Sequence, residues 1–434
     1  MREFAPFDAA ERFLSSLLCP TRLLAAVSGG SDSTGLLLAL KQALDTGKYS
    51  HSLTAATIDH ALRAESAAEA QAVAEMCDRL GIPHRTLVWT GEKPATGLSS
   101  AARDARYRLL ADAVAASGAD VLVTGHTADD QQETIAMRAA RAQSDNLGLA
   151  GMAEATLYDR RLWILRPLLG VSRSAIRAWL SGQQVGWIDD PSNTDPHYER
   201  VRVRHRLAAS VDFAPHVEGA GRRALSDAAA ALIDSCATCH AGALLRLAPD
   251  VRKADPAVLR HALATLVAIA GGRSHRPASD AMDRLMTLTV TDLPGRMTLS
   301  RALVVSRTDG IYLTREARDI LPLTVEPHSV GIWDGRFLVT NQNDEARVIE
   351  AGASPPPADR QMRLTAGQIR HLARVLPQIT APGSKESEAS EAAHRCSVEP
   401  AFPLFDRFLP DFDLQLANAV ARLFGRKAYM PTPV

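Results

Sequence analysis

Between residues 20 and 190 short apolar runs alternate with longer stretches in which apolar positions recur every three or four residues. That alternation predicts an α/β fold, a parallel sheet flanked by helices. The strand-length runs are Leu23 to Val27, Leu53 to Ile58, His84 to Trp89 and Val121 to Thr124. The first intervening helix runs through Lys41 until Gly47. The second opens with a capping box, Ser66 to Glu69, and stops at Gly81 before Pro83; the third starts near Ser99 or Ser100, and the fourth is capped by Thr127. Asp32, Asp59, His60, His126 and Asp130 all follow a strand directly. Open α/β sheets bind ligands beyond the carboxyl ends of their strands, so these side chains are expected to face one cleft.

After about residue 207 the pattern changes. Alanine-rich helical segments run from about 220 to 290 with a break at Gly271 and Gly272, and residues 297 to 314 read as a hairpin turning at Asp309 and Gly310. Asp334 and Gly335 suggest a second hairpin before Arg336 to Thr340. Ser354 to Pro357 reads as a linker, and the polar stretch from Pro382 to Ala393 as a mobile segment. No internal repeat is visible. A length of 434 residues calls for more than one domain. The expected division is a catalytic domain over 1–207, a mainly helical middle domain over 208–316 ending in a hairpin, and a small mixed α+β domain over 317–434.

Composition narrows the class without naming a chemistry. Hydrophobic residues make up 46% and charged residues 23%, the mix of a soluble globular protein. No run approaches a membrane span and no export signal is visible, so the expected location is cytoplasmic, with no membrane partner. Lysine plus arginine equals aspartate plus glutamate at 49 each, which leaves no long-range cationic field. Any nucleic-acid surface must therefore be local, and the densest basic segment is Arg200, Arg202, Arg204, His205, Arg206; its plain alternative is a solvated helix or strand edge. The five cysteines suggest reduced thiols. Cys236, Cys239 and His240 spell C-x-x-C-H, but haem attachment of that type follows export and no second pair completes a zinc ribbon. In the alanine-rich stretch from Ala228 to Leu245 the pair reads as small buried side chains of a helix.

The strongest local signal is Ser28, Gly29, Gly30, Ser31, Asp32, Ser33, between the first strand and its helix. Glycines permit close backbone approach to an anion, serines add hydroxyl donors, and the amides opening the helix point at negative charge. Neither the Walker A ending nor the G-x-G-x-x-G spacing is present. Without a lysine for the γ-phosphate, the expected task is to hold pyrophosphate as a leaving group while the α-phosphate is attacked, which is adenylation. The plain alternative is a Gly/Ser turn joining strand to helix.

Further segments sharpen this reading: Asp59-His60-Ala61-Leu62-Arg63, Ala102-Arg103-Asp104-Ala105-Arg106-Tyr107, Gly125-His126-Thr127-Ala128-Asp129-Asp130 running on to Glu133, LAGM at 149–152, RPLL at 166–169 and DDPSN at 189–193. Together with the SGGSDS loop they resemble, in order, the motifs of the tRNA(Ile)-lysidine synthetases, within the N-type ATP pyrophosphatases (adenine nucleotide alpha hydrolase-like). The resemblance covers roughly residues 20–206; beyond that it is architectural. The chain departs from the family where Val201 replaces the usual asparagine after Arg200 and where residues 142–147 replace a Gly/Ser-rich turn.

The resemblance implies an AMP-forming carbon–nitrogen ligase. ATP adenylates the C2 carbonyl oxygen of the wobble cytidine in isoleucine tRNA with a CAU anticodon, and the ε-amine of L-lysine then displaces AMP to give lysidine. It implies ATP and Mg2+ as cofactors. Residue types then suggest roles. Ser28, Gly29, Gly30, Ser31, Asp32 and Ser33 cradle pyrophosphate, with Asp32 holding magnesium. Arg103 and Arg106 neutralise developing charge. Asp59, His60 and His126 contact the adenylate. Asp130 orients or deprotonates the incoming lysine, and Asp130, Glu133, Arg200 and Arg204 bind substrate. The plain alternatives are a dipole-stabilised charge at a helix start for Asp130 and a backbone-satisfying loop histidine for His126. Whether the molecule is a homodimer stays open. The alternatives carried forward are a tRNA thiolase of the same superfamily, for which C-x-x-C would matter, and a non-catalytic adenine-nucleotide sensor. A glutamine-dependent amidotransferase lacks its cysteine nucleophile here.

Overall fold

In a computed structural model the described residues are 5–141, 150–189, 197, 199–209, 219–290, 294–352, 364–382 and 394–434. The chain forms two compact units, residues 1–219 with 430–434, and residues 220–429.

The first unit contains α1 (Pro6–Ser16), β1 (Arg22–Ala26), α2 (Ser31–Asp45), β2 (Ser52–Asp59), α3 (Ser66–Arg79), β3 (His84–Val88), α4 (Leu98–Ser117), β4 (Val121–Thr124), α5 (Ala128–Arg141), β5 (Ala155–Tyr158), β6 (Leu162–Leu165), α6 (Arg173–Gly182) and α7 (Glu199–Ala209). These strands pair in the order β5-β6-β4-β1-β2-β3, parallel except for β5. The α/β arrangement expected from the alternating pattern is present, and β1 and β4 are apolar because neighbours cover both faces. Leu37 of α2 and Val73 and Cys77 of α3 share one core with Ala25, Val27 and Ala55. Helix α4 packs on β2, β3 and β4.

The chain leaves β1 toward β2 and β3 and returns on the other side of β1 as β4. That reversal is the switch point at which such sheets open a crevice. Two turns meet there: a Cβ added to Gly125 after β4 would lie 2.8 Å from the Asp32 carbonyl oxygen and 3.0 Å from Ser33 Cα.

One cap differs from expectation. Ser66 lies inside α3 and donates to the Arg63 carbonyl at 2.9 Å, while Glu69 accepts from the Arg63 guanidinium at 3.0 Å. The arginine of the preceding turn claims the glutamate, so the capping box does not form. The box forms instead at α5, where Thr127 and Asp130 bond reciprocally.

The second unit has α8 (Gly219–Cys236), β7 (Ala237–His240), β8 (Leu244–Leu247), α9 (Pro256–Ala270), α10 (Ser279–Val290), β9 (Gly295–Leu299), β10 (Ala302–Arg307) and β11 (Gly310–Arg315). These strands make one sheet in the order β7-β8-β11-β10-β9. The middle segment thus adds a five-stranded sheet to its helices. Cys236 ends α8 and Cys239 lies on β7, which corrects the single helix expected over 228–245. The Leu244, Leu245 and Leu247 cluster fills β8, whose register against β11 outweighs the alanine-rich helical preference before it. The hairpin β10–β11 forms, with Thr308 and Asp309 at its tip and Gly310 already in the strand.

Further on come β12 (Leu323–Val325), β13 (Ser329–Trp333), β14 (Phe337–Asn341), β15 (Arg347–Ala351), α11 (Ala366–Ala373), β16 (Pro377–Thr380), β17 (Cys396–Pro400) and α12 (Leu414–Leu423). The second expected hairpin is β13–β14, turning through Asp334, Gly335 and Arg336. The expected linker at 354–357 and residues 383–393 of the expected mobile stretch lie outside the described residues.

Candidate active site

The phosphate loop joins β1 to α2 as the sequence requires. Gly29 has φ +85°, and a Cβ there would meet Ile188 Cδ1 at 2.7 Å, so only glycine fits both the backbone and the neighbour. Gly30 caps α2. The loop is tied internally: the Ser28 amide donates to Ser33 Oγ at 3.1 Å, Ser33 Oγ donates to the Gly30 carbonyl at 3.1 Å, and Thr34 Oγ1 donates to the Gly29 carbonyl at 3.2 Å. First-turn amides of a helix have no acceptor within it, and here they open α2 at the switch point.

Asp32 is half-buried rather than exposed at the cleft as its loop position suggests, because the Arg173 Nε donates to its Oδ2 at 2.8 Å. Burial pushes the Asp32 carboxyl above its ordinary range, and Arg173 opposes that shift only in part. The same guanidinium faces Asp130 Oδ1 at 3.5 Å and Glu133 Oε1 at 3.9 Å. Arg173 opens α6, capped by Ser172, and its amide donates to Asp129 Oδ2 at 2.7 Å. One turn later Arg177 reaches Ser31 Oγ at 3.3 Å and Asp189 Oδ1 at 2.8 Å. Sequence reasoning missed Arg173 and Arg177; the signal was two arginines four apart on one face of a capped helix.

Asp130 is both cap and site residue. Its Oδ2 accepts from the Thr127 amide at 2.9 Å and from Thr127 Oγ1 at 3.1 Å, which leaves Oδ1 turned to Arg173. Burial raises this carboxyl, but the Thr127 amide and the neighbouring His126, Arg200 and Arg173 outweigh it and hold the group below its ordinary range. Glu133, one turn on, is buried and is held from α7 by Arg204 Nε at 2.7 Å and Arg200 Nε at 3.2 Å. The basic segment is therefore not simply a solvated edge: Val201 and Val203 are buried, and two of its arginines serve an internal carboxylate.

His126 is half-buried, with Nδ1 at 2.9 Å from Thr124 Oγ1. Burial first, then the charge of Arg166, pushes its pKa down to about 3; Arg200 and Arg103 act the same way. His60 is likewise pushed down to about 4 by burial and by Arg106, whose Nη2 is 3.4 Å from His60 Nε2. Trp89 meets His60 edge-on at 6.0 Å. The buried Asp59 accepts from the Ala61 amide at 2.7 Å and shapes the turn after β2. Arg103, stacked at 5.0 Å over Tyr107, and Arg106 are exposed on α4. Arg103 acts on His126, and Arg106 feels Arg103 and Arg200. Two groupings result, acidic residues around Arg173 and cationic ones around His126.

Residues 142–149 and 190–193 lie outside the described residues. The rest of the LAGM segment is pinned by Gln131, whose Oε1 accepts from the Met152 amide at 2.6 Å and whose Nε2 donates to the Met152 carbonyl at 3.0 Å. Among the described residues no group of three or more His, Cys, Asp or Glu could hold a metal ion. Burial pushes the Cys239 thiol up to about 12, which keeps it protonated. No described helix is long and apolar enough to cross a membrane.

Residues 8–211 match the PP-loop domain family. A tRNA(Ile)-lysidine synthase of Rhizobium meliloti is 44% identical, over 99% of this chain and 97% of that protein. Its counterpart in Mesorhizobium japonicum is 43% identical, over 98% and 97%. Among solved structures, a U34-tRNA thiolase of Methanococcus maripaludis covers 48% of this chain and 81% of its own at 15% identity and a TM-score of 0.36. With such identity sustained over almost their whole length, the chain belongs to the tRNA(Ile)-lysidine synthase family.

Proposed function

We propose that this chain uses ATP to ligate L-lysine to the wobble cytidine of isoleucine tRNA with a CAU anticodon. The observation that carries the reading is that the first turn of α2, which closes the anion-receiving loop, and the ammonium-receiving carboxylates of α5 meet at one guanidinium, Arg173. A site of that kind brings a polyphosphate and an amine into register, and holding reactants so removes much of the barrier between them.

Ser28 to Ser33 and the first-turn amides of α2 take the pyrophosphate. The cationic grouping of Arg103, Arg106 and Arg200 faces the charge that builds as the C2 oxygen bonds to phosphorus. His126 and His60 are neutral near pH 7 and serve as hydrogen-bonding contacts to the adenylate rather than as cations. Asp59 shapes the turn that carries His60. The Asp130 carboxylate, kept ionised, orients the lysine ammonium toward the activated base, and Glu133 supports it while itself held by Arg200 and Arg204.

The donor set fits magnesium. Asp130 is a carboxylate close enough to raise the cost of ionising Asp32, and Mg2+ is commonly held by one or two carboxylates together with substrate phosphates. Asp32 would hold the ion, which when bound neutralises phosphate charge.

Incubating the protein with ATP, labelled lysine and bulk tRNA, then analysing nucleosides, tests the reading. Lysidine together with AMP and pyrophosphate is expected. Release of ADP and orthophosphate with no lysine in tRNA would refute it.

A further inference from the structure

Arg173 is bonded tightly to one carboxylate and loosely to two. Its Nε lies 2.8 Å from Asp32, while Nη2 and Nη1 stand 3.5 Å and 3.9 Å from Asp130 and Glu133. Glu133 already has Arg200 and Arg204, and the second oxygen of Asp130 is taken by Thr127. The guanidinium thus occupies the place where a substrate ammonium would meet Asp130 Oδ1, without filling it well. Its backbone is fixed by Asp129 and by the Ser172 cap, so the freedom it has is in its side chain. That side chain already reaches the phosphate loop at Asp32, and Arg177 of the same helix reaches the loop at Ser31.

We propose that Arg173 is a positioning residue that stands in for the lysine ammonium in the ATP-free protein and vacates Asp130 when the polyphosphate arrives. The triphosphate of ATP in the loop offers the guanidinium a denser negative charge than Asp130, and arginine suits phosphate oxygens geometrically. Asp130 Oδ1 is then open to lysine. The consequence is an order of binding: ATP raises the affinity for lysine, and by linkage lysine raises the affinity for ATP. The inference rests on the proposed function, because it takes Asp130 as the lysine carboxylate.

The test is equilibrium dialysis of labelled L-lysine against the full chain, without tRNA, with and without saturating ATP. The native protein is expected to bind lysine about five-fold or more tightly with ATP, the lower end of common coupling factors. Arg173→Gln is expected to bind lysine more tightly than the native protein when ATP is absent, and to bring the ratio of the two affinities to about one, full loss of the coupling factor. A merely structural arginine would instead weaken lysine binding in both conditions and leave the ratio unchanged, and that result would overturn the proposal. So would a ratio of about one in the native protein, since no coupling would then exist. Should Arg173→Gln fail to fold, Arg173→Lys carries the test, with a reduced ratio expected and an unchanged one refuting. Lysine transfer to tRNA is measured on the same native preparation. If it occurs while Arg173→Gln keeps the native ratio, only the place-holder role falls; if the native protein neither binds nor transfers lysine, the proposed function falls with it.

Discussion

Asp32 and Asp130 carry charge under opposite local conditions, and single substitutions separate their roles. Asp32→Ala removes the carboxylate that Arg173 Nε bonds at 2.8 Å, in a pair that is 19% exposed on both sides. It is expected to abolish AMP formation and to cost about 1–3 kcal/mol of stability, the range for stranding a partly buried polar partner, read as a shift in the urea midpoint at unchanged slope. Asp130→Asn keeps an oxygen for the Thr127 amide, so α5 stays capped. Its expected effect is a loss of about 100-fold or more in lysine transfer, the usual scale for a misplaced reactant, with tRNA-dependent ATP–pyrophosphate exchange retained. Equal loss of both activities would place Asp130 in adenylation instead. The sequence made both aspartates visible because they follow strands directly. Arg173 was passed over, since its spacing from Arg177 on an amphipathic helix also describes a solvated face until two other helices bring carboxylates to it.

At the level of elements, the site depends on how closely the turn after β4 approaches the loop after β1. Gly125→Ala would push a Cβ against the Asp32 carbonyl, 2.8 Å away, where neither backbone can yield cheaply. The expected cost is about 1–3 kcal/mol, as for other overpacked sites, together with weakened ATP binding in a titration calorimeter. The second joint is α5 against α7. Glu133→Ala removes the carboxylate that ties Arg200 and Arg204 to α5 and is expected to speed amide hydrogen exchange across residues 199–209, leaving exchange in β1 and β4 as it was. Arg204→Ala consequently leaves a buried carboxylate to Arg200 and the more distant Arg173 as well as removing a cation, so any loss of tRNA affinity in that variant is compounded by local loosening. The first four strands were legible to within a residue, as runs such as Val121 to Thr124 are short and apolar, whereas β5 and β6 were not read at all. The β7–β8 hairpin was not legible either, because an alanine-rich helix leads into it and its conformation is decided by the pairing of β8 with both β7 and the distant β11.

Across the whole molecule, acid should loosen both units for the same reason. His126 and His60 in the first unit are held at about 3 and about 4, and His261 in the second at about 2, in each case by burial first and then by arginines. The unfolded rings titrate near 6.5. Below that pH the unfolded chain takes up protons that the folded chain refuses, so stability is complete above about 6.5 and falls as the pH drops toward 3. Melting temperatures measured from pH 8 down to 4.5 should hold level and then decline below about 6.5; a flat profile to pH 5 would show that these rings are solvated in the native state. The divide at residue 219 lies near the change in pattern visible around 207, but the return of residues 430–434 to the first unit left no trace in local periodicity. There the Trp163 indole donates to the Pro431 carbonyl at 2.8 Å, and the Leu18 amide to that of Pro433 at 3.0 Å. A ribosome therefore completes the nucleotide-handling half only after the intervening two hundred or so residues have emerged. Until then a nascent chain presents an unfastened edge, and clipping it after Tyr429 should soften the half that was made first.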